Sequence, residues 1–418
     1  MVKSPITLDQ SKELLLKRLL SIRQVSEELV APLLPEELCL QGMPDASPPK
    51  WHLAHTNWFF EALVLRPHLA GYEGSDPRWS YLFNSYYDSL GNRHPRPQRG
   101  LLTRPSIEAV MAWRNHVNKE LERLLLDRND EVNDLLELGL QHEQQHQELL
   151  LMDVLDGFSR QPLEPVYRSD WQEKWDLSIS AMNVDPECKL DWLNFEGGLA
   201  NIGVDQAHTS EANNGFHFDN EAPRHKVWLQ PFQLANRLVS NSEYLEFMVD
   251  GGYERPELWM SEGWSIRTQR SWLSPRYWRK EEADTNWNWE FTLAGRKPLN
   301  PLAPVRHLSW FEADAYARWA DARLPTEAEW EWAAETNDSQ IHQLHDVLWQ
   351  WTASPYRPYP GFKPVTGAIG EYNGKFMSSQ FVLRGSSALT PPRHARTTYR
   401  NFFSPASRWM ASGIRLAL

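Results

Sequence analysis

The sequence predicts a two-domain protein, all-helical in its amino-terminal part and α+β beyond it. Three observations carry that reading. A chain of 418 residues is too long for one ordinary hydrophobic core. Up to about residue 160, apolar side chains recur at helical spacing. From about residue 190 onward, Gly, Pro, Asn and Trp become frequent and the apolar runs shorten to strand length.

The helices follow in order. Leu14, Leu15, Leu16, Leu19, Leu20, Ile22, Val25 and Leu29 predict a helix over Leu8–Val30, stopped by Pro32 and Pro35. A second helix begins near Trp51, after Pro48-Pro49, and carries Trp58, Phe59, Phe60, Leu63 and Leu65 as far as Pro67. The third opens at Pro105-Ser106 and runs through Val110, Trp113, Val117 and Leu121 to about Leu126. The fourth runs from about Glu131 to Leu155, with Leu135, Leu138, His142, His146 and Leu149 along one side. Four amphipathic helices over 8–165 predict an antiparallel bundle, a usual home for metal sites built from facing helices.

The second domain is expected over 190–418. Strand-length runs include Lys226–Leu229, Phe232–Leu234 and Phe381–Arg384. Helices are expected at Asn241–Asp250 and Ser309–Ala322, each with a serine or asparagine at its start. The stretch 160–190, with Pro162, Pro165 and Pro186, reads as the connector.

Composition narrows the function. With 43 basic and 55 acidic residues the formal charge is −12, which disfavours nucleic acid and polyanionic partners. Only Cys39 and Cys188 occur, so no disulfide framework is expected, and a reduced, cytoplasmic setting is predicted. The first residues lack the apolar core of a signal peptide, and no run approaches ~18 apolar residues; membrane association is not expected. The 21 tryptophans can fill a loop-rich core or wall pockets.

Three histidines point to chemistry. His142 and His146 stand one helical turn apart, and His55 lies at the opening of another helix. Two imidazoles from one helix and one from another can hold a metal ion with positions left open for reaction. His52, one turn before His55, is a rival ligand. Glu143 is adjacent to a ligand and reads as a residue behind the site or on the surface. Three neutral nitrogens suit Zn, Fe, Ni or Cu, so zinc hydrolysis and iron–oxygen chemistry both stay open.

Several unusual strings, in order along the chain, resemble the ergothioneine-biosynthesis sulfoxide synthases. They are His52-Leu53-Ala54-His55-Thr56-Asn57-Trp58-Phe59-Phe60-Glu61, Phe83-Asn84-Ser85-Tyr86-Tyr87, Arg93 to Gly100 and the 142–148 motif. Further on come Phe218 to His225, Arg323 to Glu331 and Thr398-Tyr399-Arg400-Asn401-Phe402-Phe403. The resemblance implies a DinB-like four-helix domain followed by a formylglycine-generating-enzyme-like domain of C-type-lectin type. It implies Fe(II) held by His55, His142 and His146, with hercynine, cysteine and O2 as substrates and a sulfoxide as product.

Residue by residue, Gln145 matches the glutamine that meets the hercynine imidazole, and Asn401 the asparagine at its amino-acid end. Phe402, with Phe403 and Trp409 nearby, would wall the trimethylammonium group, which lacks any N–H and favours aromatic faces. Tyr86 and Tyr87 match a tyrosine pair of the cysteine-using branch, where a phenol supplies a proton or hydrogen bond. Arg96 matches the arginine on the cysteine carboxylate, with Arg93 and Arg99 close by in sequence. The stretch Phe402–Ser407 offers no charge for a γ-glutamyl arm. A selenosugar-using selenoneine synthase is the variant reading. Thiolate-held copper, as in formylglycine-generating enzymes, is excluded by count, because both cysteines precede Trp192. The competing expectations are a zinc-dependent DinB-type thiol transferase and a binding module with structural histidines.

Overall fold

The computed structural model describes residues 8–127, 132–171, 190–205, 216–281, 287–371 and 373–418. The chain divides into two compact units, Met1–Pro162 and Leu163–Leu418.

The first unit is built on α1 (Leu8–Val30), α2 (Pro49–Phe59), the short α3 (Arg66–His68) and α4 (Arg78–Phe83), α5 (Ile107–Asp127) and α6 (Asn133–Ser159). Pro49 sits at the first turn of α2, where its missing N–H costs no helical bond. A π-helical stretch, Phe60–Leu65, joins α2 to α3, so the expected second helix is longer and less regular than its apolar spacing suggests. Among the leucines expected to face inward on α1, Leu19 and Leu29 are buried, whereas Leu14 and Leu20 are exposed.

Polar side chains occupy part of the buried face of α1. Arg23 and Ser26 lie inside the bundle with Glu143 of α6, Arg114 of α5 and Asn57 of α2. Arg23 donates to Glu143 at 3.0 Å and to Asn57 at 2.6 Å. Arg114 donates to Glu143 at 2.7 Å and to the Leu53 carbonyl and Thr56 hydroxyl at 3.1 and 3.2 Å. Ser26 donates to the same carboxylate at 2.8 Å. Glu143 is thus neither a surface residue nor aimed at the histidines. Burial alone would raise its pKa, but Arg114 and Arg23 outweigh that and bring it down to about 2.

Among the described residues, the second unit has four small sheets. β1 (Trp192–Phe195) pairs with β4 (Phe232–Ala235), and β2 (Gly198–Ile202) with β3 (His225–Leu229), both antiparallel. β5 (Trp278–Arg279), β6 (Trp289–Thr292) and β7 (Gly295–Pro298) form a third sheet. The largest runs β10-β9-β8-β11, from Asn401–Phe403, Phe381–Gly385, Trp349–Pro355 and Ser412–Gly413. Helices α7 (Asn241–Val249) and α9 (Trp310–Trp319) begin at Ser240 and Ser309, each in a capping box with a glutamate. Between them lies α8 (Ser261–Gln269).

Helix α10 (Glu327–Asn337) has no counterpart in the sequence-based expectation. Its string Glu329-Trp330-Glu331-Trp332 alternates like a strand, although Thr326 and Glu329 cap it reciprocally. Trp330 is fully buried in the core with Ile202, Leu234 and Leu344. The expected connector is partly structured: the N–H groups of Tyr167 and Arg168 both donate to the Leu293 carbonyl at 3.0 Å, within the second unit. Its remainder, including Cys188, lies outside the described residues. Among the described residues, no helix is long and apolar enough to cross a membrane.

Glu143→Ala leaves two guanidinium groups buried without their carboxylate. We expect a loss of about 3–5 kcal/mol in the stability of the helical unit, measured by urea denaturation.

Candidate metal centre

α2 and α6 face each other and supply the three imidazoles. His55, His142 and His146 each bring a ring nitrogen to within 4.8 Å of the other two. Their ring centroids are 4.6–4.9 Å apart. The Nε2 atoms of His55 and His142 lie 3.1 Å apart. His55 Nδ1 meets the Phe83 carbonyl at 2.6 Å. A carbonyl only accepts, so that nitrogen carries the proton and Nε2 keeps its lone pair. His52 stands outside the trio, its Nδ1 2.8 Å from the outer nitrogen, Nδ1, of His146.

The rings are held in an aromatic frame. Trp51 stacks on His55 at 4.6 Å and Trp58 at 5.7 Å, both nearly parallel to it. Phe59 packs on His142 at 4.6 Å. Burial, with added repulsion from neighbouring histidines, holds His55 and His146 well below the ordinary imidazole pKa. Burial likewise takes His142 down to about 3. All three are therefore neutral near pH 7. Three neutral, convergent nitrogens, with the His55 tautomer fixed by the Phe83 carbonyl, suit a borderline divalent metal such as Fe(II) or Zn(II).

The loop after α4 joins the centre to the tyrosine pair. Asn84 braces it, donating to the Tyr87 carbonyl at 2.9 Å and accepting from the Tyr87 N–H at 3.1 Å. Tyr87 is fully buried and packs on Trp58 at 5.5 Å, while half-buried Tyr86 stacks on Tyr87 at 4.6 Å. Gln145 is half-buried on α6, about 60° around the helix from His142.

The three arginines of the 93–99 string differ sharply. Arg96 and Arg93 are exposed, whereas Arg99 is buried. Arg99 lies 3.4 Å over the Trp51 ring and donates to the Ser47 and Ser85 hydroxyls at 2.8 and 3.2 Å. Its Nε is buried without a hydrogen-bond partner. Burial, with repulsion from Arg96, lowers its pKa to about 8. Sequence reasoning named Arg99 only as a neighbour of Arg96; a Pro97-Gln98 turn between them gives no hint of which one goes inside.

Within the second unit, Asn401, Phe402 and Phe403 form β10 and are half-buried. Asn401 Oδ1 accepts from the Phe402 N–H at 2.9 Å. Phe402 stacks on Tyr356 at 4.1 Å, and Phe403 meets Trp409 edge-on at 5.4 Å.

Acid should weaken the metal-free helical unit. The folded-state pKa values of the three histidines lie below 6.5, so below that pH the unfolded chain binds more protons. Stability is full above about pH 6.5 and declines toward pH 3, by up to about 1.4 kcal/mol per pH unit for each histidine. Thermal melts across that range in chelator would show the decline, and a flat profile would contradict it.

Comparison with known proteins agrees with this architecture. Residues 18–150 match the DinB superfamily, and residues 191–344 match the sulfatase-modifying factor enzyme 1-like domain. The chain is 28% identical over 429 positions to a hercynine oxygenase of Mycolicibacterium smegmatis, covering 91% of this chain and 93% of that protein. It is 29% identical over 429 positions to a hercynine oxygenase of Mycobacterium tuberculosis, with the same coverage of 91% and 93%. Ergothioneine biosynthesis protein 1 of Schizosaccharomyces pombe is 25% identical over 232 positions, covering 48% of this chain and 27% of that protein. With both modules in the same order, the chain is similar along nearly its whole length to the hercynine oxygenases, relatives that indicate an oxidoreductase.

Proposed function

We propose that this chain is a non-haem Fe(II), O2-dependent sulfoxide synthase that joins cysteine to hercynine in the cytoplasm. The observation that carries the reading is the trio of convergent neutral imidazoles, with His55 and His142 buried and His146 half-buried. The overall change balances without another reductant. Hercynine gives up its C–H and cysteine its S–H, a C–S bond forms, and one oxygen atom ends on sulfur and the other in water. When bound, ferrous iron would supply redox chemistry with dioxygen and open positions for an imidazole and a thiolate.

The chain's own side chains orient and protonate. Gln145 carries an amide able to donate to or accept from the hercynine imidazole. Asn401, with Phe402 and Phe403, is assigned to the amino-acid end of hercynine. The Tyr86–Tyr87 pair offers phenolic protons, and buried Tyr87 is screened from water. For the cysteine carboxylate we favour Arg99 over the exposed Arg96. A guanidinium already stripped of water and lacking a carboxylate among its hydrogen bonds gains more from an incoming anion. The uncharged run Phe402–Ser407 supports free cysteine over γ-glutamylcysteine.

Anaerobic protein loaded with Fe(II), hercynine and cysteine should consume oxygen on admission of air and form a sulfoxide detectable by mass spectrometry. Offering γ-glutamylcysteine and a selenosugar in competition identifies the donor. Zinc-supported, oxygen-independent turnover would replace this reading with the thiol transferase. Arg99→Ala should raise the KM for cysteine by roughly tenfold or more, with the KM for hercynine little changed and a smaller effect from Arg96→Ala.

A further inference from the structure

We propose that His52 and Asp153 are positioning residues that set the tautomer of His146 and so present its Nε2 to the metal. The inference deepens the reading of the histidine trio as a metal centre and rests on it. Its starting point is a buried chain of hydrogen bonds that the three ligands do not require.

Asp153 lies on α6, two turns beyond His146, and His52 lies on α2, one turn before His55. Both are buried. The backbone N–H of Ser47 donates to Asp153 Oδ2 at 2.7 Å. The same oxygen lies 3.1 Å from His52 Nε2. The other nitrogen of His52, Nδ1, is 2.8 Å from His146 Nδ1.

Only one proton can sit between those two Nδ1 atoms, and the surroundings choose its owner. Ser47 is a fixed donor, so Asp153 Oδ2 is an acceptor at that end of the chain. With its one proton on Nε2, His52 donates to Asp153 and turns a bare Nδ1 toward His146. His146 then holds its own proton on Nδ1, and its Nε2 lone pair is available to the metal. The opposite assignment sets the lone pair of His52 Nε2 against a carboxylate oxygen. It also places a proton on His146 Nε2, where it would block ligation.

A carboxylate behind a metal-bound histidine is a common support; here an extra imidazole is inserted between them. The result parallels His55, whose Nδ1 proton is pinned by the Phe83 carbonyl. It also accounts for two buried polar groups, His52 and Asp153, that would otherwise be costly.

The test uses the full chain and Co(II) as the probe, titrated by absorption, with thermal melts to check folding. His52→Asn keeps an acceptor near the former Nδ1 and should hold affinity within about threefold of the parent. His52→Phe and Asp153→Leu remove the support and should weaken Co(II) binding by roughly 10–100-fold. The double substitution should bind no worse than His52→Phe alone, because Asp153 acts only through His52. Should the variants fail to fold, 15N NMR of histidine-labelled, metal-free parent protein still decides. The expected result is His146 protonated on Nδ1 and His52 on Nε2. Parental affinity in folded His52→Phe, or a proton on His146 Nε2, would overturn the relay. A parent that binds cobalt with these tautomers yet makes no sulfoxide would remove the oxygenase reading alone.

Discussion

One carboxylate shared by two guanidinium groups governs the helical unit. Glu143 sits between Arg23 and Arg114, and none of the three is exposed to solvent. Through their hydrogen bonds α1, α2, α5 and α6 are all tied to a single point. Buried charges are costly unless paired in good geometry, so such a network penalises any slip of one helix against another. Glu143 also lies directly beside His142 in sequence, and Asn57 and Thr56 directly follow His55. The contacts that lock the bundle therefore lock the spacing of His55 and His142.

The same interior sets the protonation state of the candidate ligands. Trp51 and Trp58 cover the two faces of His55, and Phe59 lies against His142. Exclusion of water disfavours imidazolium and keeps three lone pairs available. Trp51 also couples the centre to charge, because Arg99 lies over its ring while His55 stacks on it. An anion arriving at Arg99 would relieve an unfavourable buried cation close to the metal ligands.

Much of this was legible in the chain. Apolar spacing placed α1, α5 and α6 to within a few residues, and the serine caps marked α7 and α9. The His-x₃-His pair with His55 named the trio that the bundle brings together. Where local pattern was silent, the reason is specific. Trp and Glu alternate in α10 with the period of a strand, yet the Thr326 cap and burial of Trp330 make it helical. Nothing near Arg23 in sequence reveals its carboxylate, Glu143.

The existence and approximate ends of α1, α5, α6, α7 and α9, and the candidate ligands, were determined by the sequence itself, through residues within about four positions of one another. Tertiary structure alone decided which nitrogen of His55 is bare, whether His52 or His55 joins the trio, and which arginine is buried. His52 and His55 share a helical face, and only Asp153, 101 positions away from His52, and Phe83, 28 positions from His55, tell them apart. Glu143 finds Arg23 across 120 positions. A proton's place on a ring is set by the partner it meets in space, and no short window of sequence contains that partner.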